Sequence, residues 1–445
     1  MPGNYTQVTL QALINQISVL LQDFPAQVYY QPLEIQYAIY EALRVFGALT
    51  GNWRQRGIIS IGPTTPWYDL SVLLPALRPR VWTLNQVCQQ MQYMLLENPS
   101  GIAGTGMSGQ VSIGDILSAI QRARNAFVID TKFPFTIHSS PDVSMTPDGL
   151  VTLPNTTIYL HRLAFQDATS GAWSNLWRED AWAADHNNQL WTVQAATPQC
   201  FSQSESSPLT AQLIPTPINT GNLEAVTVDS LEIDITNPNA TFDIPDEWIY
   251  AVMYGALGAI FSAGQTEDDL RAQYCMQRYQ QFVDTARMAK SVIRMTLGGV
   301  PLPLDTLANV DAGFPYWRNQ PGKPQMASQL YDILAFAGIP DQTYSVAVDV
   351  VAAAPLPGLN DPIQIGPEDV PLLVKYSLST LLLKCGGKES QATWEGFDDF
   401  TKACVSRNQI LAVKARYLGP IFQQWQYEEA QRPDRMEKKP TSVAA

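Results

Sequence analysis

A stretch of this chain occurs twice, and a repeat limits the possible architectures more than any single residue does. Residues 226–229 read Val-Thr-Val-Asp, and Pro245 then sits in the run IPDEWIYAVMYGALGAIFSAG. Residues 346–349 read Val-Ala-Val-Asp, and Pro367 opens PEDVPLLVKYSLSTLLLKCGG. Tyr254 matches Tyr376, Gly264 matches Gly386, and both copies continue into a second helical stretch. A repeated strand–helix–helix unit builds by stacking, which suits scaffolds and joints. Two copies are too few for a solenoid, so the duplication enlarges one helical body. The repeat makes no catalytic site by itself.

Helical periodicity is clear elsewhere. Residues 7–24 place Leu10, Leu13, Ile14, Ile17, Leu20 and Leu21 on one stripe. A second helix opens at Pro32 and carries Ile35, Ala38, Ile39, Ala42, Leu43 and Phe46 before Thr50-Gly51 ends it. The short link between the two predicts an antiparallel hairpin. Residues 57–70 read as two short strands around a Pro-rich turn, and residues 83–97 return to helix. After a Gly-rich loop a helix runs from Ser112, with Asp115 as its capping partner, to about Val128.

From Thr131 to Thr241 short β-runs alternate with Pro, Asn, Asp, Ser and Gly clusters. That spacing predicts a β-sandwich or related all-β domain inserted between helical parts. In the first repeat copy Ile249, Val252, Met253, Ala256, Leu257, Ile260 and Phe261 form one stripe, and Thr266 with Asp269 caps the partner helix. Val374, Leu378, Leu381, Leu382 and Cys385 form the equivalent stripe in the second copy. The chain therefore divides into an N-terminal helical part with a short β-hairpin (1–130), an inserted β-domain (131–241) and the first helical hairpin (242–297). An extended excursion (298–343), the second copy (344–418) and a C-terminal helix with a flexible tail (419–445) follow.

Charged residues make up 16% of the chain, against roughly 25% in ordinary soluble domains. Eleven Trp and 32 Pro accompany that deficit, so aromatic and uncharged residues cover much of the surface, as at protein–protein contacts. A net charge of −13 argues against gripping nucleic acid, which needs a basic patch, and suits a smooth passage for DNA better than a clamp. The five cysteines lack metal spacing, and Cys275, Cys385 and Cys404 lie in helical apolar patterns, as buried thiols do in a reducing cytoplasm. The N-terminus shows no signal peptide, and no apolar run is long enough to span a membrane.

Candidate chemistry is sparse. Gly101, Gly104, Gly106 and Gly109 precede a helix, but no strand leads into them and Gln110 stands where a phosphate-binding Lys would be needed. The plain reading, a connection between two helices, is favoured. Arg178, Glu179, Asp180, Asp185 and His186 cluster, yet His138 and His161 are remote in sequence, so a polar loop is favoured over a metal site. His161 reads as a packed or surface residue, and nothing in the sequence pairs with His138. Glu232 and Asp234 would point the same way along one strand, which suits a solvated face better than carboxylates straddling a sugar. No nucleophile elbow appears. Catalytic, metal and cofactor sites are accordingly expected to be none.

The helix pair with YYQPLEIQYAIYEALRVFGALTGNWR, followed by Tyr68-Asp69-Leu70, resembles the opening of tailed-bacteriophage neck proteins. IPDEWIYAVMYGALGAIFSAGQTEDDLRAQYCMQRYQQFVDTAR is similar to the helix pair of head-to-tail adaptors, and VTLPNTTIYLHRLAFQDATSGAWSNLWRED to their inserted β-domains. The resemblance covers about residues 7–290 as a pattern of elements; the second repeat copy departs from the shortest adaptors. It implies an α+β fold: an adaptor-like helical bundle with an inserted all-β sandwich-like domain and a duplicated strand plus helical-hairpin unit.

The implied role is a non-enzymatic virion protein of the head–tail neck, assembled in the host cytoplasm. It would form a homo-oligomeric ring, twelve-fold, under the portal protein. Tail tube, nozzle or tail-fibre proteins would be further partners, with double-stranded DNA passing unbound and no membrane involved. In the tail segment, Ile421, Phe422, Trp425 and Tyr427 interrupt a polar strip and are candidate partner-docking residues, with Trp425 as anchor. Two alternatives stand beside this reading. One is another tail, collar or fibre-attachment protein of the virion. The other, suggested by Trp173, Trp177 and Trp191, is a carbohydrate-binding or hydrolysing β-domain protein.

Overall fold

The computed structural model describes residues 8–23, 29–63, 65–96, 101, 111–180, 182–183, 186, 194–203, 207–230, 237–263, 269–288, 291–314, 317–385 and 399–407. In chain order the helices are α1 (Leu10–Leu20), α2 (Pro32–Thr50), α3 (Leu70–Leu73), α4 (Leu84–Met94), α5 (Ile113–Thr131), α6 (Ile249–Phe261), α7 (Asp269–Met288), α8 (Leu307–Gly313) and α9 (Val370–Leu382). The first strands are β1 (Arg54–Ile61) and β2 (Trp67–Asp69). Between α5 and α6 come β3 (Thr136–Ser139), β4 (Ser144–Met145), β5 (Leu150–Thr152), β6 (Thr157–Asp167), β7 (Trp173–Arg178), β8 (Cys200–Ser202), β9 (Thr210–Ile214) and β10 (Gly221–Asp229). The last are β11 (Val292–Leu297), β12 (Val300–Leu302), β13 (Leu304–Asp305), β14 (Met326–Leu330), β15 (Ile333–Ala337) and β16 (Tyr344–Val351). The fold is α+β.

The chain forms two compact units, and the first boundary falls between Trp53 and Arg54 rather than after residue 130. One unit holds residues 1–53, 354–382 and 391–445. Here Thr9 caps α1 by accepting from the Ala12 amide, and Leu10, Leu13, Ile14 and Ile17 are buried. Leu20, expected on that stripe, is 52% exposed because the helix stops there and Leu21 is already its C-cap. Pro32 starts α2, whose termination needs a left-handed Gly51 (φ 58°). Helix α9 lies on α2, where Tyr376 donates to Glu41 and Ser377 to the Ala38 carbonyl, and it buries Leu373, Val374, Thr380 and Leu381. Leu378 and Leu382 of the expected stripe are only half-buried. The Leu10 amide donates to the Asp361 carbonyl, and Thr9 bridges Pro362.

The other unit, residues 54–353 with 383–390, repeats that arrangement. Thr83 caps α4 in a capping box with Gln86 and bridges Thr241, while the Leu84 amide donates to the Ala240 carbonyl. Helices α1 and α4 both have 11 residues, and α2 and α5 both have 19. Ser112 and Asp115 form the expected capping box of α5. Helix α6 is apolar all round and buried between α5 and α7. The duplication is thus larger than its sequence identity shows. Each copy pairs an N-terminal helical hairpin with a C-terminal helix, and the joint is the same short bridge in front of each first helix.

Strands β3–β10 form one eight-stranded sheet in the order β3-β10-β6-β7-β8-β9-β5-β4. It curls round a single core that includes Val143, Val151, Leu163, Phe165, Phe201 and Leu213. Two further four-stranded sheets, β1-β16-β11-β12 and β13-β14-β15-β2, face each other across Ile59, Met295, Phe336, Val346 and Val348. Residues 298–343 are therefore not an extended excursion. They supply β12 to β15 and α8, and their Gly and Pro clusters are the turns of short strands. Strand β15, ILAFA, is buried along its whole length: Leu334 and Phe336 enter the core between the two sheets, Ile333 and Ala335 a second core with Trp67 and Trp317. The twin motifs 226–229 and 346–349 lie in β10 and β16, with Val226, Val228, Val346 and Val348 all inward.

Candidate functional site

Ile421, Phe422, Trp425 and Tyr427 lie outside the described residues, as do Gly104, Gly106, Gly109, Asp185, Trp191, Glu232, Asp234 and Thr266. The remaining candidates can be placed. Gly101 has φ 64°, its amide donates to Gln92 Oε1 at 2.8 Å, and a Cβ there would lie 2.0 Å from Asn85 Oδ1. This residue folds back onto α4, which is a packed turn and gives no cradle for phosphate.

Contrary to the sequence expectation, His138 has a partner. Strand β3 pairs with β10, and this brings His138 Nε2 within 2.6 Å of Asp229 Oδ2. Thr227 Oγ1 donates to the other carboxylate oxygen at 2.7 Å. The two residues are 91 positions apart, so only the strand pairing could reveal the contact. Among the described residues no nucleophile hydrogen-bonds to the second ring nitrogen of His138, and the pair is a cross-strand clasp. The second repeat copy has a counterpart: Asp349 on β16 accepts two hydrogen bonds from Arg56 on β1, at 2.7 and 3.0 Å.

The polar run after β7 is dispersed. Glu179 accepts from the Cys200 thiol at 2.9 Å, Asp180 accepts from the Trp182 amide, and His186 is exposed. Among the described residues no group of His, Cys, Asp and Glu side chains could hold a metal ion. Trp173 is half-buried and the Arg318 guanidinium stacks 3.9 Å from its ring centroid, so that face is not open to a sugar. Trp177 and Trp182, by contrast, are 57% and 83% exposed. An open cleft bounded by Phe133, Phe135, Arg287, Asp305 and Tyr331 has its polar groups already engaged. Arg287 Nε donates to the Asp130 carbonyl, and Asp305 accepts from Thr306 and Asn309. It offers aromatic walls and no acid–base pair.

Two buried ion networks escaped the sequence reading. Arg78 donates to Asp332 at 2.9 Å and lies 2.6 Å from Glu247, with the Val351 carbonyl as a further acceptor. Burial raises the Asp332 carboxyl above its usual range, and Arg78 opposes that shift. The network ties the turn before α6 to the β14–β15 hairpin. In the second, Arg162 pairs with Asp311 at 3.0 Å, and Arg318 with Glu224 at 2.7 Å. Trp317 Nε1 donates to Asp311, and Asp311 and Arg318 are thereby fastened to β6 and β10. The four ion pairs named join residues 94 to 254 positions apart, and no local pattern announces them. Both networks fix turns and strands of this unit against one another.

No described helix is long and apolar enough to cross a membrane. Residues 103–298 match the family model for SU10 adaptor protein. The matched stretch takes in α5, the whole eight-stranded sheet, α6, α7 and β11. It covers less than half of the chain, and it points to a phage adaptor-type structural protein and thus to a virion component. No curated protein matches the sequence.

Proposed function

We propose that this chain is a structural protein of the phage head–tail junction, forming a ring that joins the portal to the tail and lets DNA pass. The observation that carries this reading is the adaptor-family match over residues 103–298, a continuous run inside one unit that takes in a capped helix, the β-domain and a helical hairpin. The nested second copy, α1–α2 with α9, adds a further helical body to that module. Packed helices supply a stiff wall, and a net charge of −13 keeps passing DNA from adhering to a lumen. A ring of identical subunits, twelve in this reading, closes through heterologous contacts. The role is one of assembly; no catalysis and no cofactor enter it.

Portal docking is assigned to Ile421, Phe422, Trp425 and Tyr427, with Trp425 filling a pocket on the partner ring. Native mass measurement of the purified chain, alone and with a portal protein, tests the reading. A ring in either condition supports it, and a chain that stays monomeric in both overturns it. Truncation after Leu418 is expected to leave circular dichroism unchanged and abolish portal binding; retained binding removes the docking assignment.

A second reading, a collar or fibre-attachment protein of the same virion, is favoured by the exposure of Trp177 and Trp182 on the β-domain. Electron microscopy of particles separates the two by showing whether the ring sits under the portal or holds appendages.

A further inference from the structure

The outward face of the sheet β1-β16-β11-β12 is unlike the rest of this acidic chain. Its four strands carry Arg54, Arg56 and Arg294 against a single Asp349, with no Lys and no Glu. The register sets Arg56, Asp349 and Arg294 in one row across three strands. Arg56 holds Asp349 with two hydrogen bonds, and Arg294 on the other side has no ion-pair partner among the described residues. The next row runs Ile58, Ala347, Thr296, Pro301, where Ile58 is 69% exposed and Pro301 is exposed as well. Arginine and aliphatic residues without Lys or Glu are the composition of an interface core rather than of a solvated surface.

The opposite charge lies in the same unit. Residues 136–229, which form the β-domain, contain two arginines and no lysine against nine carboxylates. The edge strand β4 is bracketed by Asp142, just before it, and Asp148, in the β4–β5 turn. Both are exposed, and neither has a cationic partner among the described residues.

We infer that the basic face of the β1-β16-β11-β12 sheet is the seat for the acidic β4–β5 edge of a second copy of this chain. The inference rests on the ring reading and names its lateral contact. Two different patches of one subunit meeting head to tail make a heterologous contact, which is the kind that generates a ring. Exposed ion pairs add little net affinity, so the charges set register and partner choice. Ile58 and Pro301 supply the apolar area that holds the contact.

The test compares native mass spectra and sedimentation of wild type, R56E/R294E, D142R/D148R and the variant with all four substitutions, with circular dichroism as the folding control. The expected result is a wild-type oligomer whose half-assembly concentration rises at least about tenfold in each double variant, since a charge reversal removes about 1.4 kcal/mol or more. The fourfold variant, with the polarity of the contact exchanged, is expected to reassemble. Double variants that oligomerise like wild type overturn the inference and leave the ring reading standing. So do double variants whose loss the fourfold variant fails to restore. A wild-type chain that is monomeric with and without portal protein overturns both.

Discussion

Tyr376 donates its phenolic hydrogen to Glu41 Oε1 across 2.7 Å, with both side chains fully buried where α9 crosses α2. The contact joins residues 335 positions apart and so holds the C-terminal helix of the second repeat copy to the N-terminal hairpin. Removing the hydroxyl leaves a buried carboxylate short of one donor, which costs about 1–3 kcal/mol. Y376F is therefore expected to lower the stability of this unit by that amount with no change in helix content. Urea unfolding followed by circular dichroism measures it. A shift below about 0.5 kcal/mol would show that Glu41 is satisfied without Tyr376.

Arg78 faces two carboxylates in a site where all three side chains are buried. Replacing it by Met fills much of the volume but strands Asp332 and Glu247, at a cost of about 3–5 kcal/mol. R78M is expected to unfold at a markedly lower temperature. Adding D332N and E247Q to it is expected to recover a large part of the loss, because neutral amides no longer need the guanidinium. Calorimetry on the three-substitution variant distinguishes the charge effect from simple loss of packing: without recovery, packing is the cause.

The cysteines give a prediction in pH. Cys88 is fully buried on α4, and burial pushes its thiol up to about 12, whereas a thiol in the unfolded chain titrates near 8.5. Between those values the unfolded chain releases a proton that the folded one keeps, so ionisation favours unfolding. Stability contributed by this site is complete below about pH 8.5 and declines as pH rises through the window towards 12. C88A or C88S, lacking the group, is expected to show a flatter decline between pH 8.5 and 10.5, seen in urea midpoints. At neutral pH a thiol reagent is expected to modify Cys385, which is half-buried, before Cys88, Cys200, Cys275 or Cys404.

What the sequence disclosed depended on the range of the signal. Pro32, Gly51 and Ser112 with Asp115 mark helix ends through chemistry confined to a few residues, and each lies where that chemistry requires. Strand β15 has no such signal: five apolar residues buried on both faces show no alternation, and flanking Gly and Pro made the region read as an extended excursion. His138 and Arg78 were illegible for another reason, since their partners come from strands and turns that only the folded topology brings close. The duplication was visible where its residues are shared, at Tyr254 and Tyr376. It was hidden where only lengths and caps persist, in LQALINQISVL of α1 and LNQVCQQMQYM of α4. Packing positions constrain size and period, and leave identity free.

Two glycines of α6 offer a sharper test of how tightly the helices of the adaptor-matched module pack. A Cβ at Gly255 would lie 3.1 Å from the Tyr279 ring and 3.2 Å from Ala123 Cβ. Neither neighbour yields easily: Tyr279 is tethered to Asp130, and Ala123 is part of the buried face of α5. A Cβ at Gly258 instead meets Met276 Sδ at 2.8 Å, the far end of a flexible side chain that is 48% exposed. Replacing Gly by Ala within a helix gains about 1 kcal/mol of propensity in both cases. At Gly255 overpacking of about 1–3 kcal/mol cancels or exceeds that gain. At Gly258 Met276 swings outward and most of the gain remains. G255A is therefore expected to be neutral to destabilising and G258A stabilising, by up to about 1 kcal/mol in thermal or urea unfolding. The reverse order would mean that α5, α6 and α7 pack more loosely at Gly255 than these distances require.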